Sequence, residues 1–196
     1  MIIQRPVADY QNYVFEQGKK AREQAQKLMG SKDKRIRQFI VVFEKIKPYM
    51  ATGGVLCLGA RTGCEVEAAI KAGFAGSIGI DLHPLHPSVI EADWHKMPFE
   101  CGSFANIFTN SLDHCANFYA LADEIIRVSA PGGKFIFSAT DRSTMKARQW
   151  LKKPNNEYLF WANPDELRDK FKAYGFMSEY REVIGRNVVY VMGINQ

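Results

Sequence analysis

No apolar run in the chain approaches the roughly 18 residues that a membrane-spanning helix needs, so a helical membrane protein is excluded. The start, MIIQRPVADYQNY, lacks an apolar core followed by a small-residue cleavage site, and is read as carrying no secretory signal. Cysteine is sparse. Cys57, Cys64, Cys101 and Cys115 form no C-x-x-C pair, which argues against a zinc or disulfide framework and for reduced thiols in a cytoplasmic protein. There is no internal repeat and no low-complexity tract. With 196 residues, 46% hydrophobic and 24% charged, disorder and collagen-like structure are also excluded.

What the chain does have is an uneven charge. Residues 1–50 hold 11 Lys/Arg against 5 Asp/Glu, and residues 51–196 hold 15 against 16. A second basic cluster is Arg142, Lys146, Arg148, Lys152 and Lys153. Such asymmetry fits either an anionic partner or a solvated helix face.

Val14, Gly18, Ala21, Ala25 and Leu28 recur at steps of four and three, which predicts an amphipathic helix over 11–29. Ile36, Phe39, Ile40, Phe43 and Ile46 predict a second helix that stops before Pro48. From about residue 50 the pattern changes to alternation. Short apolar runs at 55–58, 77–80, 89–92, 105–109 and 134–139 read as strands, and Val66–Ile70, Phe118–Ile125 and Leu167–Tyr174 as helices. The last two runs, 176–183 and 188–194, flank Gly185 with no room for a helix. They predict an antiparallel hairpin at the edge of a mostly parallel sheet. The predicted class is therefore α/β, a doubly wound, Rossmann-like sheet over residues 51–196, preceded by a basic helical segment over 1–50.

The sharpest motif is Val55-Leu-Cys-Leu-Gly59-Ala-Arg61-Thr-Gly63, a buried strand running into a glycine turn and a helix. Backbone N–H groups at such a turn favour an anionic group. Asp81 closes the next strand, 22 residues after Gly59, where a carboxylate can accept from ribose hydroxyls. A dinucleotide fingerprint would need glycine at 59, 61 and 64, and the chain has Arg61 and Cys64. A ligand with ribose but no pyrophosphate fits better.

Five runs in order, Leu56–Gly63, Gly79-Ile-Asp81-Leu82, Glu91-Ala-Asp93-Trp94 to Pro98, Gly102 to Asn110-Ser111, and Glu124 to Gly133, resemble class I S-adenosylmethionine-dependent methyltransferases, most of all their small type 11 branch. The resemblance implies S-adenosylmethionine as cofactor. It places Gly59, Ala60, Arg61 and Gly63 along the methionine portion, and Asp81 with Leu82 at the ribose. Asp93 and Trp94 fall at the adenine, and Asn110 and Ser111 near the sulfonium. The chain departs from the pattern twice. Arg61 replaces the middle glycine, and only the proline-rich stretch 82–88 separates Asp81 from the next strand. The N-terminal helices are the expected cover for the side left open.

All four histidines lie between residues 83 and 114. His114, beside Asp113 just after Asn110-Ser111, is the general-base candidate if the acceptor must lose a proton; an ordinary loop histidine is the alternative. A metal at His83, His86, His95, Asp81 and Asp93 is disfavoured, since Pro84 and Pro87 break helical spacing and no H-E-x-x-H occurs. No Asn/Asp-Pro-Pro-aromatic run follows Asn110, and neither Cys101 nor Cys115 has the setting of a nucleophile. Base-modifying activity is therefore disfavoured, though nucleic acid is not excluded as a partner. The expectation is methyl transfer to oxygen or nitrogen of a small-molecule or chain-end acceptor, anionic or saccharide, with Tyr10, Tyr13, Phe160 and Trp161 as candidate lining. A catalytically inactive cofactor-binding or RNA-binding module is the competing reading.

Overall fold

The computed structural model describes residues 2–4, 9–144 and 157–194. Strand β2 (Val55–Leu58) is buried along its whole length. Val55 and Cys57 pack with helices α2 (Lys32–Ile46) and α3 (Cys64–Lys71), while Leu56 and Leu58 pack with α4 (Phe118–Val128) and α5 (Pro164–Ala173). Side chains alternate across a strand, so four consecutive apolar residues feed two cores, one on each face of the sheet. That is the signature of a parallel strand covered on both sides.

The seven-stranded sheet has the order β4 (Val89–Glu91), β3 (Ile78–Asp81), β2, β5 (Phe104–Thr109), β6 (Ser129–Thr140), β9 (Asn187–Ile194), β8 (Phe176–Ile184). The first five run parallel, and β9 is antiparallel to both β6 and β8. This is the expected doubly wound sheet with its antiparallel C-terminal hairpin. The chain passes from β2 to β3 on one side and later to β5 on the other. The topology therefore reverses at β2, and a crevice opens at the strand ends there.

Local chemistry sets the helix starts. Asn117 accepts from the Ala120 N–H at 3.2 Å and caps α4, whose buried stripe is Phe118, Leu121, Ala122, Ile125 and Val128. Asn163 accepts from the Asp165 N–H at 2.9 Å, with Pro164 at the first position of α5. Ahead of the sheet, α1 (Tyr10–Gly30) and α2 are separated at Ser31.

Several details differ from the sequence reading. A two-stranded antiparallel sheet pairs β1 (Ile3–Gln4) with β7 (Leu159–Phe160); two residues per strand are too few to show a period. Strand β6 begins at Ser129, ahead of the Pro131-Gly132-Gly133 turn, with a register shift opposite Phe104/Asn106. In α3, Ile70 is exposed and Glu65 is buried. Phe160 and Trp161 are core residues, the indole donating to the Thr140 carbonyl at 3.0 Å. Of the second basic cluster, Lys146, Arg148, Lys152 and Lys153 lie outside the described residues. No described helix is long and apolar enough to cross a membrane.

Candidate active site

A cavity of about 210 Å3 lies at the carboxyl ends of β2, β3 and β5. Its floor begins at Gly59, whose φ of 71° is a left-handed conformation that favours glycine. The Gly59 N–H donates to the Ile80 carbonyl at 2.8 Å, which ties the turn to β3. A Cβ added at Gly59 would stand 3.1 Å from the Ser111 hydroxyl, so these two residues face each other across the floor. Thr109 fixes that side. Its hydroxyl donates to the Leu58 carbonyl at 3.1 Å and accepts from the Ser111 N–H at 3.1 Å, and Ser111 Oγ donates to Asn110 Oδ1 at 3.2 Å.

Asp81, Leu82 and Trp94 also line the cavity. Asp81 is 7% exposed and already holds three donors. Oδ2 accepts from the Arg61 N–H at 3.2 Å, and Oδ1 from Arg61 Nε at 3.3 Å and the His83 N–H at 2.9 Å. The residue replacing the usual middle glycine thus points at the acid expected to grip a ribose. Arg61 Nη2 also reaches Gln17 Oε1 at 3.5 Å.

Helix α1 forms the opposite wall through Tyr10, Tyr13, Gln17 and Lys20. Tyr13 Oη donates to the His114 carbonyl at 3.2 Å, and His83 Nε2 donates to the Val14 carbonyl at 2.8 Å. Tyr10 Oη donates to Asp93 Oδ2 at 2.7 Å. The helix therefore crosses the ends of β3, β4 and β5, over the proline-rich stretch where no helix forms. Tyr10 also borders a second cavity of about 530 Å3, whose walls include Asp93, His95, Asn117 and Lys170.

The structure does not bring every sequence candidate to the first cavity. Ala60 is buried beneath the turn against Gly79. Gly63 has φ 70°, and its N–H donates to the Ala60 carbonyl at 2.6 Å as α3 begins, but the His86 ring lies on its open side. Asp93 faces the second cavity. Burial pushes its pKa up, but hydrogen bonds from the His95 side chain and backbone and from Tyr10 outweigh that and hold it below the usual range. Asn110 is not among the residues that line the first cavity and reaches it only through Ser111, from whose hydroxyl it accepts. His114 lines the cavity, whereas the Asp113 carboxylate is engaged by Arg142 Nη2 at 3.2 Å. Arg142 is itself held by Glu157 at 3.3 Å and stacks on Trp161 at 4.7 Å, so Asp113 anchors the loop after β5 rather than facing the cavity.

Thr62, inside the Gly59–Gly63 run, lines the cavity, and so do Gln17, Lys20 and Arg35, which the sequence did not single out. Arg35 belongs to α2 and pairs with Glu65 at 3.2 Å. Glu65 is 2% exposed, with Oε2 unpaired. Burial raises its pKa to about 7 against the opposing pull of Arg35. A carboxylate within the small and apolar face of Cys64–Ala69 is the signal that could have found it. Among the described residues, no three His, Cys, Asp or Glu stand as a metal-holding group. Three of the imidazoles are engaged separately, His83 on Val14, His86 on Glu67 and His95 on Asp93.

A glycine turn ends β2, a carboxylate ends β3 and the topology reverses at β2, an arrangement shared by Rossmann-like nucleoside-binding folds. Residues 56–137 match the Methyltransferase domain family, and this match together with the shared fold supports an enzyme of the class I S-adenosylmethionine-dependent methyltransferase type. The fold is shared with the 1,6-didemethyltoxoflavin-N1-methyltransferase of Burkholderia thailandensis, solved with 1,6-didemethyltoxoflavin and S-adenosylhomocysteine bound. That match has 13% identity and a TM-score of 0.72, over 99% of this chain and 94% of that one. A methyltransferase from Haloferax volcanii in complex with the Trm112 methyltransferase activator matches at 15% identity and TM-score 0.67, over 86% and 93%. A Thermotoga maritima S-adenosylmethionine-dependent methyltransferase matches at 15% and 0.65, over 93% and 99%. No curated protein matches the sequence. The family match and the S-adenosylhomocysteine bound in the Burkholderia thailandensis enzyme support S-adenosylmethionine as cofactor. The residues present suit it: a side-chain-free floor at Gly59, a carboxylate at Asp81 and an indole at Trp94.

Proposed function

We propose that the enzyme methylates oxygen or nitrogen of a small or chain-end acceptor that carries an anionic group. The observation behind this reading is the cavity itself. One wall is built from strand ends suited to a nucleoside, and the facing wall from α1 is rich in hydrogen-bond donors. The cofactor supplies an electrophilic methyl group on a sulfonium, and the protein's task is to bind and align. In this reading Asp81 turns from Arg61 to accept from the ribose hydroxyls, and Asp93 exchanges the Tyr10 hydroxyl for the adenine amino group. Leu82 and Trp94 flank the nucleoside, Gly59 and Arg61 border the methionine portion, and Ser111 with Asn110 closes the pocket near sulfur. His114 takes the acceptor's proton where one must leave.

Residues 1–50 act as a cover rather than as an independent unit, since α1 supplies one wall of the cavity. A cytoplasmic setting agrees with four free thiols, three of them buried. Calorimetric titration with S-adenosylhomocysteine, followed by a panel of carboxylated and phosphorylated acceptors with labelled methyl donor, tests the proposal. Tight cofactor binding with label appearing only in anionic acceptors is the expected result. Efficient labelling of neutral acceptors overturns the acceptor assignment.

A further inference from the structure

Gln17 is 3% exposed, lines the cavity, and leaves its Nε2 without a hydrogen-bond partner. The orientation of its amide is set by Arg61, whose Nη2 approaches Oε1 at 3.5 Å. Reversing the amide would put two donors face to face, so the nitrogen is the end left free. A buried donor without a partner is rare in a folded protein. Lys20, three residues further on, lines the same cavity and has no ion-pair partner among the described residues. Residues three apart on a helix are neighbours on its surface.

The lining charges sharpen the point. Lys20, Arg35 and Arg61 face the cavity, and Asp81 is the one carboxylate among the described lining residues. Asp81 is paired with Arg61, and Arg35 with Glu65. Lys20 remains uncompensated in a cavity whose cofactor brings a sulfonium cation. Two donors on α1 therefore ask for an oxyanion, and an oxyanion placed there is attracted by both the lysine and the sulfonium.

We propose that Gln17 Nε2 and Lys20 Nζ form an oxyanion subsite on α1 that takes a carboxylate or phosphate group of the methyl acceptor. The inference rests on the cofactor lying along the strand ends, as proposed above, which leaves the α1 wall to the second substrate. Gln17→Met and Lys20→Met keep side-chain length and remove the donor or the charge, and each is compared with the unaltered protein.

Three titrations decide the matter: S-adenosylhomocysteine, 5′-methylthioadenosine (the same nucleoside thioether without the amino-acid carboxylate), and inorganic phosphate added to protein saturated with S-adenosylhomocysteine. The expected result is phosphate binding weakened about tenfold or more in each variant, with both nucleosides bound as before. Retained nucleoside affinity also shows that the variants are folded. Weakening of S-adenosylhomocysteine but not of methylthioadenosine would give the subsite to the cofactor's own carboxylate and overturn the proposal. So would phosphate binding that is absent from the unaltered protein or unchanged by both substitutions. Failure of the unaltered protein to bind either nucleoside would instead sink the cofactor placement on which the inference stands.

Discussion

His83 rests on Gly18. A Cβ built on Gly18 would lie 2.8 Å from the imidazole Cε1, and the ring's Nε2 donates to the Val14 carbonyl one turn earlier in the helix. A glycine inside a helix costs roughly 0.5–1 kcal/mol relative to alanine; here it makes room for the ring that docks α1 onto the loop after β3.

Gly18→Ala therefore sets helix propensity against docking. The substitution favours the isolated helix, but the added methyl pushes the ring off Val14 and removes a hydrogen bond worth about 1 kcal/mol. Amide exchange over residues 10–30 is expected to quicken while exchange in β2, β3 and β5 stays as it was. Slower exchange in α1 would show that the contact contributes nothing to docking.

Asp81→Ala is expected to weaken S-adenosylhomocysteine binding by about 1–3 kcal/mol, the loss of a charged acceptor for two hydroxyls. The Arg61 pairing adds a second expectation. Because Arg61 occupies the carboxylate that the ribose needs, Arg61→Ala should cost less affinity than Asp81→Ala. Equal losses would mean that the guanidinium holds the cofactor directly. Isothermal calorimetry on both variants makes the comparison.

Glu65 gives the fold a pH dependence with a defined sign. The unfolded chain releases this proton near 4.5, and the folded protein keeps it up to about 7. Between those values the folded state binds more protons, so stability falls as pH rises and levels off above about 7. The contribution is on the order of a few kcal/mol. Glu65→Gln keeps an acceptor for Arg35 and removes the charge, so urea midpoints at pH 5 and pH 8 should move closer together than in the unaltered protein. An unchanged difference between the two midpoints would place the titration elsewhere.

The parts of this site that were legible in the sequence are those built locally. Gly59 and Asp81 each close a short strand, and the strand, turn and helix around them are contiguous in the chain. Ser111 follows the same logic at β5. Gln17 and Arg35 were illegible because they reach the cavity by the way two helices pack across a sheet edge, and helical periodicity shows which face is buried but not what it meets. Asp93 illustrates the converse. Its position after β4 was evident, but that its carboxylate would be held by Tyr10, 83 residues earlier, depends on α1 filling the gap left by the missing helix. Asp113 sits beside His114 in sequence, yet its carboxylate turns to Arg142. Adjacent residues in a loop need not share a direction.

That separation of Asp113 from the cavity bears on the last prediction. Tyr13 holds the loop at His114 through its backbone carbonyl, while the neighbouring Asp113 carboxylate is engaged by Arg142. If His114 serves as base, His114→Ala should lower turnover by two to three orders of magnitude, about 3–4 kcal/mol of barrier, with S-adenosylhomocysteine affinity unchanged. Asp113→Asn should leave turnover near that of the unaltered protein and lower thermal stability, because its role is the ion pair with Arg142. Turnover separates the two readings. A base at 114 gives activity that is lost in the alanine variant, whereas an acceptor that reacts without losing a proton gives turnover insensitive to the substitution. Full activity in His114→Ala would assign the methylation to an acceptor already deprotonated when it meets the cofactor.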